Sequence, residues 1–200
     1  MKNKKDITRR KGGSRILLPL FLSIMLLTPE MVCSQDVALK SNLLYDATST
    51  LNLGAEAGLA PQWSLDLSIS YNPWSFGRNK KWKHFFIQPE IRYWLSERFN
   101  GHFFGLHLLG GPFNIGGSDL FGLNKNYRYQ GRALGSGLSY GYQWILDKRW
   151  SLEASVGLGY IHALYDKYEC RDCGKKLESN RSNGFFTPTR IAVSILYTIR

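Results

Sequence analysis

The sequence predicts an all-β protein, an eight-stranded antiparallel up-and-down transmembrane β-barrel. Apolar and polar residues alternate in long runs, short and long connections between the runs alternate, and aromatic residues collect at the run ends. The clearest unit is Leu138–Tyr160, where two alternating runs flank a polar turn at Asp147. A period of two gives each strand one apolar face and one polar or small face. Each run matches the roughly 9–11 residues of a tilted membrane-crossing strand, whereas strands in soluble domains usually have about 5–6 residues.

The same alternation predicts six further strands along the chain, which make eight together with the two of the central hairpin. Pro89 weakens the fourth strand because proline lacks a ladder donor, and Gly110–Pro112 predicts a bend in the fifth. Outside the N-terminal segment no stretch has a helical apolar stripe. The predicted strands are residues 37–45, 50–59, 63–71, 85–95, 102–115, 128–146, 150–165 and 189–200.

The connections predict which end of each strand faces outwards. Those at 60–62, 96–101 and 147–149 are short, whereas those at 72–84, 116–126 and 166–188 are long, and the first link, 46–49, is an unusually short outer loop. Barrels of the bacterial outer membrane have short periplasmic turns and longer outer loops. Two aromatic girdles support this interpretation; the tryptophans assigned to the short-turn girdle are Trp63, Trp94, Trp144 and Trp150. A soluble lipocalin-like barrel, with its apolar face inwards, is the alternative.

The N-terminus predicts export from a Gram-negative cytoplasm. Residues 1–34 combine a basic start with an apolar core, Ile16–Leu27, that is short for a membrane span, and they are predicted to be a signal peptide. An N-terminal anchor and a lipoprotein modified at Cys33 are the alternatives. This segment holds seven basic and two acidic residues, so 19 of the 26 basic and 13 of the 15 acidic residues remain in the predicted barrel domain, residues 35–200. That modest excess requires no nucleic-acid partner.

The polar faces of the predicted strands would carry charged residues into one narrow lumen. An eight-stranded barrel leaves an interior just wide enough for side chains. Isolated buried charge is costly, so these residues are expected to pair as a structural plug rather than to line an ion path or a catalytic site. The predicted lumen charge network is Lys40, Glu56, Asp66, Glu90, Arg92 and Glu153.

Cys170 and Cys173 form the sharpest local motif of the chain. In an exported protein a disulfide is the favoured interpretation, with a metal site and a redox role as alternatives. A lone Cys-x-x-Cys is half of a zinc site, so we predict no metal site. The serines carry no recognisable nucleophile motif, and we predict no catalytic residue and no cofactor.

Several segments resemble a known family. They include Asn-Pro-Trp at 72–74, Gln-Pro-Glu-Ile-Arg-Tyr-Trp at 88–94, Asn-Gly-His-Phe at 100–103 and Tyr-Gly-Tyr-Gln-Trp at 140–144. The chain resembles domain-of-unknown-function family 3575, uncharacterised bacterial outer-membrane proteins, over nearly the whole predicted barrel domain. The resemblance implies a small outer-membrane β-barrel. Members of the family often resemble neighbours of fimbria-like surface assemblies, which is a weak hint of the role of this protein.

These observations favour a structural or surface-interaction protein of the outer membrane, accessory to a fimbria-like or other cell-envelope assembly. The alternatives are a narrow pore and a rim enzyme acting on lipid or peptide; we predict that the protein is not an enzyme. The candidate partners are membrane lipid, lipopolysaccharide at the basic outer loops, and a protein of the cell envelope or of fimbriae.

Overall fold

The computed structural model describes residues 36–76, 80–117, 126–169 and 174–199. The predicted signal peptide, residues 1–34, lies outside the described residues. Cys170 and Cys173 lie outside them as well, so the structure does not test their predicted disulfide.

Eight long antiparallel strands form a closed ring in the described part of the chain, which confirms the predicted all-β, up-and-down architecture. Each strand pairs with its sequence neighbours, and the last strand pairs with the first. A two-residue strand, β4, adds to the edge of β5. The strands are β1 Val37–Asn42, β2 Leu51–Ala60, β3 Trp63–Asn72, β4 Ser75–Phe76, β5 Lys80–Trp94, β6 Gly101–Gly116, β7 Arg128–Ile145, β8 Trp150–Tyr168 and β9 Lys176–Ile199.

The two faces of the ring follow from the period-two pattern of the sequence. On β3, Leu65 and Leu67 are exposed on the outer surface, while Ser64 and Asp66, which alternate with them, are fully buried. The same alternation holds on β6, where Leu106 is exposed. The ring therefore has an apolar outer surface and a polar interior, the reverse of a soluble barrel.

The connections divide the ring into two ends. Residues 61–62, 95–100 and 146–149 form short connections at one end, which we call the short-turn end. At the opposite end, the loop end, β1 ends at Asn42, β3 at Asn72, β6 at Gly116 and β8 at Tyr168. Among the described residues no helix is both long and apolar enough to cross a membrane.

The first predicted strand was too long. β1 ends at Asn42, and residues Leu43–Ala47 form a short helix, α1. The Asn42 side chain accepts a hydrogen bond from the Leu44 N–H at 3.1 Å, which is the usual N-cap interaction. Apolar residues at 43 and 45 fit either structure, so alternation alone could not locate this boundary.

The predicted long loop at 166–188 was also wrong. β8 continues to Tyr168, and β9 begins at Lys176. The two strands therefore extend together, as a two-stranded ribbon, past the ends of β1 and β2. Residues 176–184 are mostly polar and show no apolar alternation, although their main chain pairs with β8. The loop predicted at 72–84 is shortened in the same way because β5 already begins at Lys80.

Both the proline that weakened the fourth predicted strand and the glycines that predicted a bend in the fifth are accommodated within continuous strands. β5 passes through Pro89, which pairs with Leu67 of β3, whereas the recorded pairing with β6 jumps from Ile87 to Glu90. At Gly111 a Cβ atom would overlap the Phe85 carbonyl oxygen, so only glycine allows the two strands to approach this closely. The predicted bend in the fifth strand thus leaves β6 continuous to Gly116.

Candidate functional site

The interior of the barrel brings together all six residues of the predicted lumen charge network. Five strands supply them: β1, β2, β3, β5 and β8. Each of the six side chains is buried, and each takes part in at least one ion pair with another member. The members are Lys40, Glu56, Asp66, Glu90, Arg92 and Glu153.

Arg92 is the centre of this network. Its Nη1 atom lies 2.7 Å from Oε2 of both Glu56 and Glu153, and its Nη2 atom lies 3.0 Å from Glu153 Oε1. Its Nη2 also lies 3.3 Å from Asp66 Oδ2, and its Nε donates to Glu90 Oε1 at 3.1 Å. A single guanidinium, none of it exposed, therefore binds four carboxylates, one of them in the bidentate geometry that arginine favours.

Arg190 is a member of the network that the sequence reading missed. Its Nη1 lies 2.7 Å from Glu90 Oε2, and its Nη2 lies 3.0 Å from Asp66 Oδ2. Its Nε donates to Ser155 Oγ at 3.3 Å. The sequence feature that could have identified Arg190 is its position in the predicted eighth strand, where it is in phase with the inward-facing Ala192 and Ser194. We use "charge network" below for the six predicted residues together with Arg190.

Hydroxyl groups complete the coordination of the carboxylates. Ser64 Oγ contacts Glu56 Oε1 at 2.5 Å, and Ser139 Oγ donates to Glu90 Oε1 at 2.8 Å. Lys40 Nζ lies 2.9 Å from Glu56 Oε2 and 2.9 Å from Asp66 Oδ1. Each carboxylate thus has several donors, as buried charges require for stability.

A cluster of apolar side chains fills the interior at the short-turn end. We call it the apolar plug: Ala38, Trp94, Phe99, Phe103 and Leu196, all buried. Trp94 Nε1 donates to Ser64 Oγ at 2.8 Å, and the Arg92 guanidinium lies 4.3 Å from the centre of the Phe103 ring. The assignment of Trp94 to an outer aromatic girdle was therefore wrong, because its ring is fully enclosed.

Glycines opposite these long side chains make room for them, because glycine has no Cβ atom. At Gly105 a Cβ would overlap the Glu90 carboxylate, and at Gly141 it would overlap the Phe103 ring. The network and the plug thus depend on glycine at the positions opposite them.

Little free volume remains around the network. A cavity of about 40 Å³ lies on its loop-end side, between Lys40, Asn42, Tyr45 and Arg190. A water molecule needs at least about 10–15 Å³, so this space holds a few waters and no organic ligand. Among the described residues no group of three His, Cys, Asp or Glu side chains is arranged to hold a metal ion.

The ribbon beyond the ring has a separate ionic contact. Asp166 Oδ1 accepts a hydrogen bond from the Asn180 N–H at 2.9 Å, and Asp166 Oδ2 lies 2.8 Å from Lys176 Nζ. The hydrogen bond from Lys176, followed by that from Asn180, holds the pKa of the Asp166 carboxyl below its ordinary value. Asn180 has a positive φ of 54°, and the carboxylate stabilises this irregular turn of the strand.

The fold and the interior define a class: a small eight-stranded antiparallel barrel with an apolar exterior and a solid, ion-paired interior. The chain belongs to the family described as protein of unknown function (DUF3575), whose model matches residues 20–199. This confirms the family that the sequence segments resemble. Comparison with curated proteins and with solved structures finds no match.

Proposed function

We propose that the protein is a small outer-membrane β-barrel with a structural or surface-interaction role in the cell envelope. The observation that carries the proposal is the inverted distribution of polarity. Leucines such as Leu53, Leu106, Leu138 and Leu158 are each more than half exposed on the outside of the ring, while the charged residues are enclosed. Such a surface is unfavourable in water, because leaving a large apolar side chain exposed rather than buried costs about 1.5–3 kcal/mol. A bilayer accepts the same surface and requires a closed ladder of backbone hydrogen bonds.

Aromatic pairs at the two ends of the apolar surface support the membrane assignment. At the short-turn end Trp63 packs against Tyr93, with ring centroids 5.1 Å apart, and Trp150 packs against Tyr197 at 5.1 Å. Towards the loop end Tyr160 packs against Phe186 at 5.4 Å. Amphipathic rings of this kind are enriched at both interfaces of a bilayer, with a lipid-facing band about 25 Å tall between them.

The filled interior supports a structural role over the alternative of a narrow pore. The charge network crosses the lumen in its middle, and the apolar plug fills the short-turn end. An ion crossing the barrel would have to break several buried ion pairs at once. We therefore expect no conductance from the purified protein in a planar bilayer.

The loop end carries a surface suited to the headgroups of lipopolysaccharide. A groove of about 510 Å³ is lined by Lys83, Asn114 and Gln130 and by the rings of Tyr71 and Phe85. Lys83 on β5 is exposed, as is Arg132 on β7, two strands further on. Cations and amides next to aromatic rings fit phosphorylated sugars at a membrane interface. We further propose that a signal peptidase removes residues 1–34 and that the loop end faces the outside of the cell.

Cell fractionation and gel mobility test the proposal. We expect the protein in the outer-membrane fraction of a Gram-negative host, and we expect the purified barrel to migrate differently in SDS before and after boiling. A protein that stays soluble without detergent and enters no liposome would contradict the proposal.

A further inference from the structure

Among the described strands, none pairs with one edge of β9 over most of its length. β8 pairs with β9 from Lys176 to Tyr197, whereas β1 covers only the stretch from Ser194 to Ile199. In the described residues no strand pairs with this second edge between Lys176 and Val193. Side chains reach it only towards the barrel: Asn42 donates to the Ile191 carbonyl at 3.3 Å and accepts from the Val193 N–H at 3.3 Å, and Gln88 donates to the Thr189 carbonyl at 3.3 Å, as far as the described residues show.

Two irregularities limit the open edge to a short, regular segment. Pro188, which has no N–H, interrupts it on the side of the barrel. On the far side the register shifts between Tyr165 and Lys167, and the Asn180 N–H is already bonded to Asp166. Bulges and prolines are the devices by which proteins protect an edge strand from pairing. Between them, Arg181–Thr187 pairs with β8 without a shift and has no such protection.

The proline also indicates which main-chain groups face the open side. A proline is tolerated in a sheet where its missing N–H points away from the neighbouring strand. Successive residues of a strand point their N–H and C=O groups to opposite edges. Phe186, Gly184 and Ser182, which lie in phase with Pro188, therefore direct their N–H and C=O groups towards the open edge.

Side chains next to this edge form an apolar step. Phe186 is 83% exposed and packs on the ring of Tyr160. The Tyr160 hydroxyl lies so close to Gly184 that a Cβ there would overlap it. A strand added to this edge would have main-chain groups of Ser182 and Gly184 to bond and the Phe186 ring to pack against.

We propose that Arg181–Thr187 is a docking edge for an extended segment of another polypeptide, which adds to β9 as an antiparallel strand. A row of unpaired N–H and C=O groups is complementary to an extended main chain and to no other common ligand. The segment seats an apolar side chain against Phe186. This inference rests on the proposed function, since the loop end then faces outwards and the partner is an extracellular protein.

A second copy of this chain is a poor occupant of the same edge. Copies inserted in one membrane with one orientation present their β9 edges running in the same direction. Antiparallel pairing between two copies would require them to have opposite orientations in the membrane. The antiparallel hydrogen bonds can therefore form only with a different chain.

Hydrogen–deuterium exchange on the folded barrel in lipid nanodiscs tests the proposal. The probe is a short synthetic peptide of alternating threonine and valine, and its control carries a central proline. We expect the amides of Ser182, Gly184 and Phe186 to exchange freely in the isolated protein and to become protected by the peptide but not by the control. Ser182→Pro removes one edge N–H and should weaken binding about tenfold or more, whereas Ser182→Ala should bind as the natural protein does.

The outcomes separate this proposal from the proposed function. Barrel formation is checked for every variant by the SDS gel shift, so a failed membrane assignment shows itself there. With a folded barrel, no protection by saturating peptide overturns the docking edge. Protection of the edge before peptide is added, or a dimer in the isolated protein, overturns it as well.

Discussion

Replacing Arg92 by methionine removes the centre of the charge network while leaving an unbranched side chain of similar reach. The four carboxylates that Arg92 binds are not equally affected by the loss of its contacts. Glu56 keeps Lys40 at 2.9 Å, and Asp66 keeps both Lys40 and Arg190. Glu153 loses contacts of 2.7 and 3.0 Å to Arg92 and is left with cations no closer than 3.5 Å.

The size of the effect follows from the Glu153 carboxylate, whose remaining cations lie at 3.5 and 3.8 Å. Removing one partner of a buried ion pair costs about 3–5 kcal/mol because the remaining charge is left unpaired. The lost contact between the Arg92 guanidinium and the Phe103 ring adds about 0.5–2 kcal/mol. We expect Arg92→Met to lower the free energy of unfolding by at least about 3 kcal/mol, which corresponds to a shift of about 6 °C or more in the unfolding temperature.

The assay is unfolding of the barrel in detergent micelles, followed by tryptophan fluorescence and by the temperature at which the SDS gel shift occurs. Arg149→Met is the matched control, because Arg149 is an exposed residue at the short-turn end whose contact is with the Tyr197 hydroxyl at 2.8 Å. We expect a change within about 0.5 kcal/mol for the control. Glu153→Gln in the Arg92→Met background should restore part of the loss, because it removes the unpaired charge. If Arg92→Met unfolds at the same temperature as the control, the network does not hold the interior together.

Three further changes test other parts of the account. Arg190→Met should destabilise the barrel by about 3 kcal/mol in the same unfolding assay, since Glu90 then loses its 2.7 Å ion pair and keeps Arg92 and the Ser139 hydroxyl, and an unchanged midpoint would argue against the membership of Arg190 in the network. Phe103→Ala should cost about 3–5 kcal/mol through the cavity left in the apolar plug, and a smaller loss would mean that the plug is loosely packed. In the ribbon the lowered pKa of Asp166 means that its contact with Lys176 contributes fully above about pH 4 and is lost as the carboxyl protonates at lower pH. The Asn180 amide resonance should report this loss in an NMR titration, and Asp166→Asn should abolish the titration.

The closed ring and most of the charge network could be predicted from the sequence, and for the same reason. Alternation of polar and apolar residues is a local property, and in an up-and-down ring each strand pairs with its chain neighbour. Knowing which residues point inwards was enough to select Lys40, Glu56, Asp66 and Glu90 as neighbours, because an eight-stranded interior is too narrow to keep them apart.

The missed features depend on contacts between distant residues. Trp94 has the alternation of an inward residue, but tryptophan near a short turn is typical of a girdle, and only the packing against Phe99 and Phe103 decides between the two. The extension of β9 from Lys176 is stabilised by main-chain pairing with β8, which polar side chains do not reveal. Arg190 was missed because the strand that carries it was predicted to begin at Thr189, where its phase was defined least clearly.

The central claim is that lipid covers the outer surface of the ring, and spin-label accessibility measures this directly. A label at Leu138, which is 68% exposed on β7, is placed in the barrel reconstituted into liposomes, with a label at Arg181 in the ribbon as the aqueous reference. We expect the label at position 138 to collide with oxygen dissolved in the bilayer and to be shielded from a water-soluble nickel reagent, with the reverse result at position 181. A label at position 138 that meets the nickel reagent as freely as the reference would contradict the central claim.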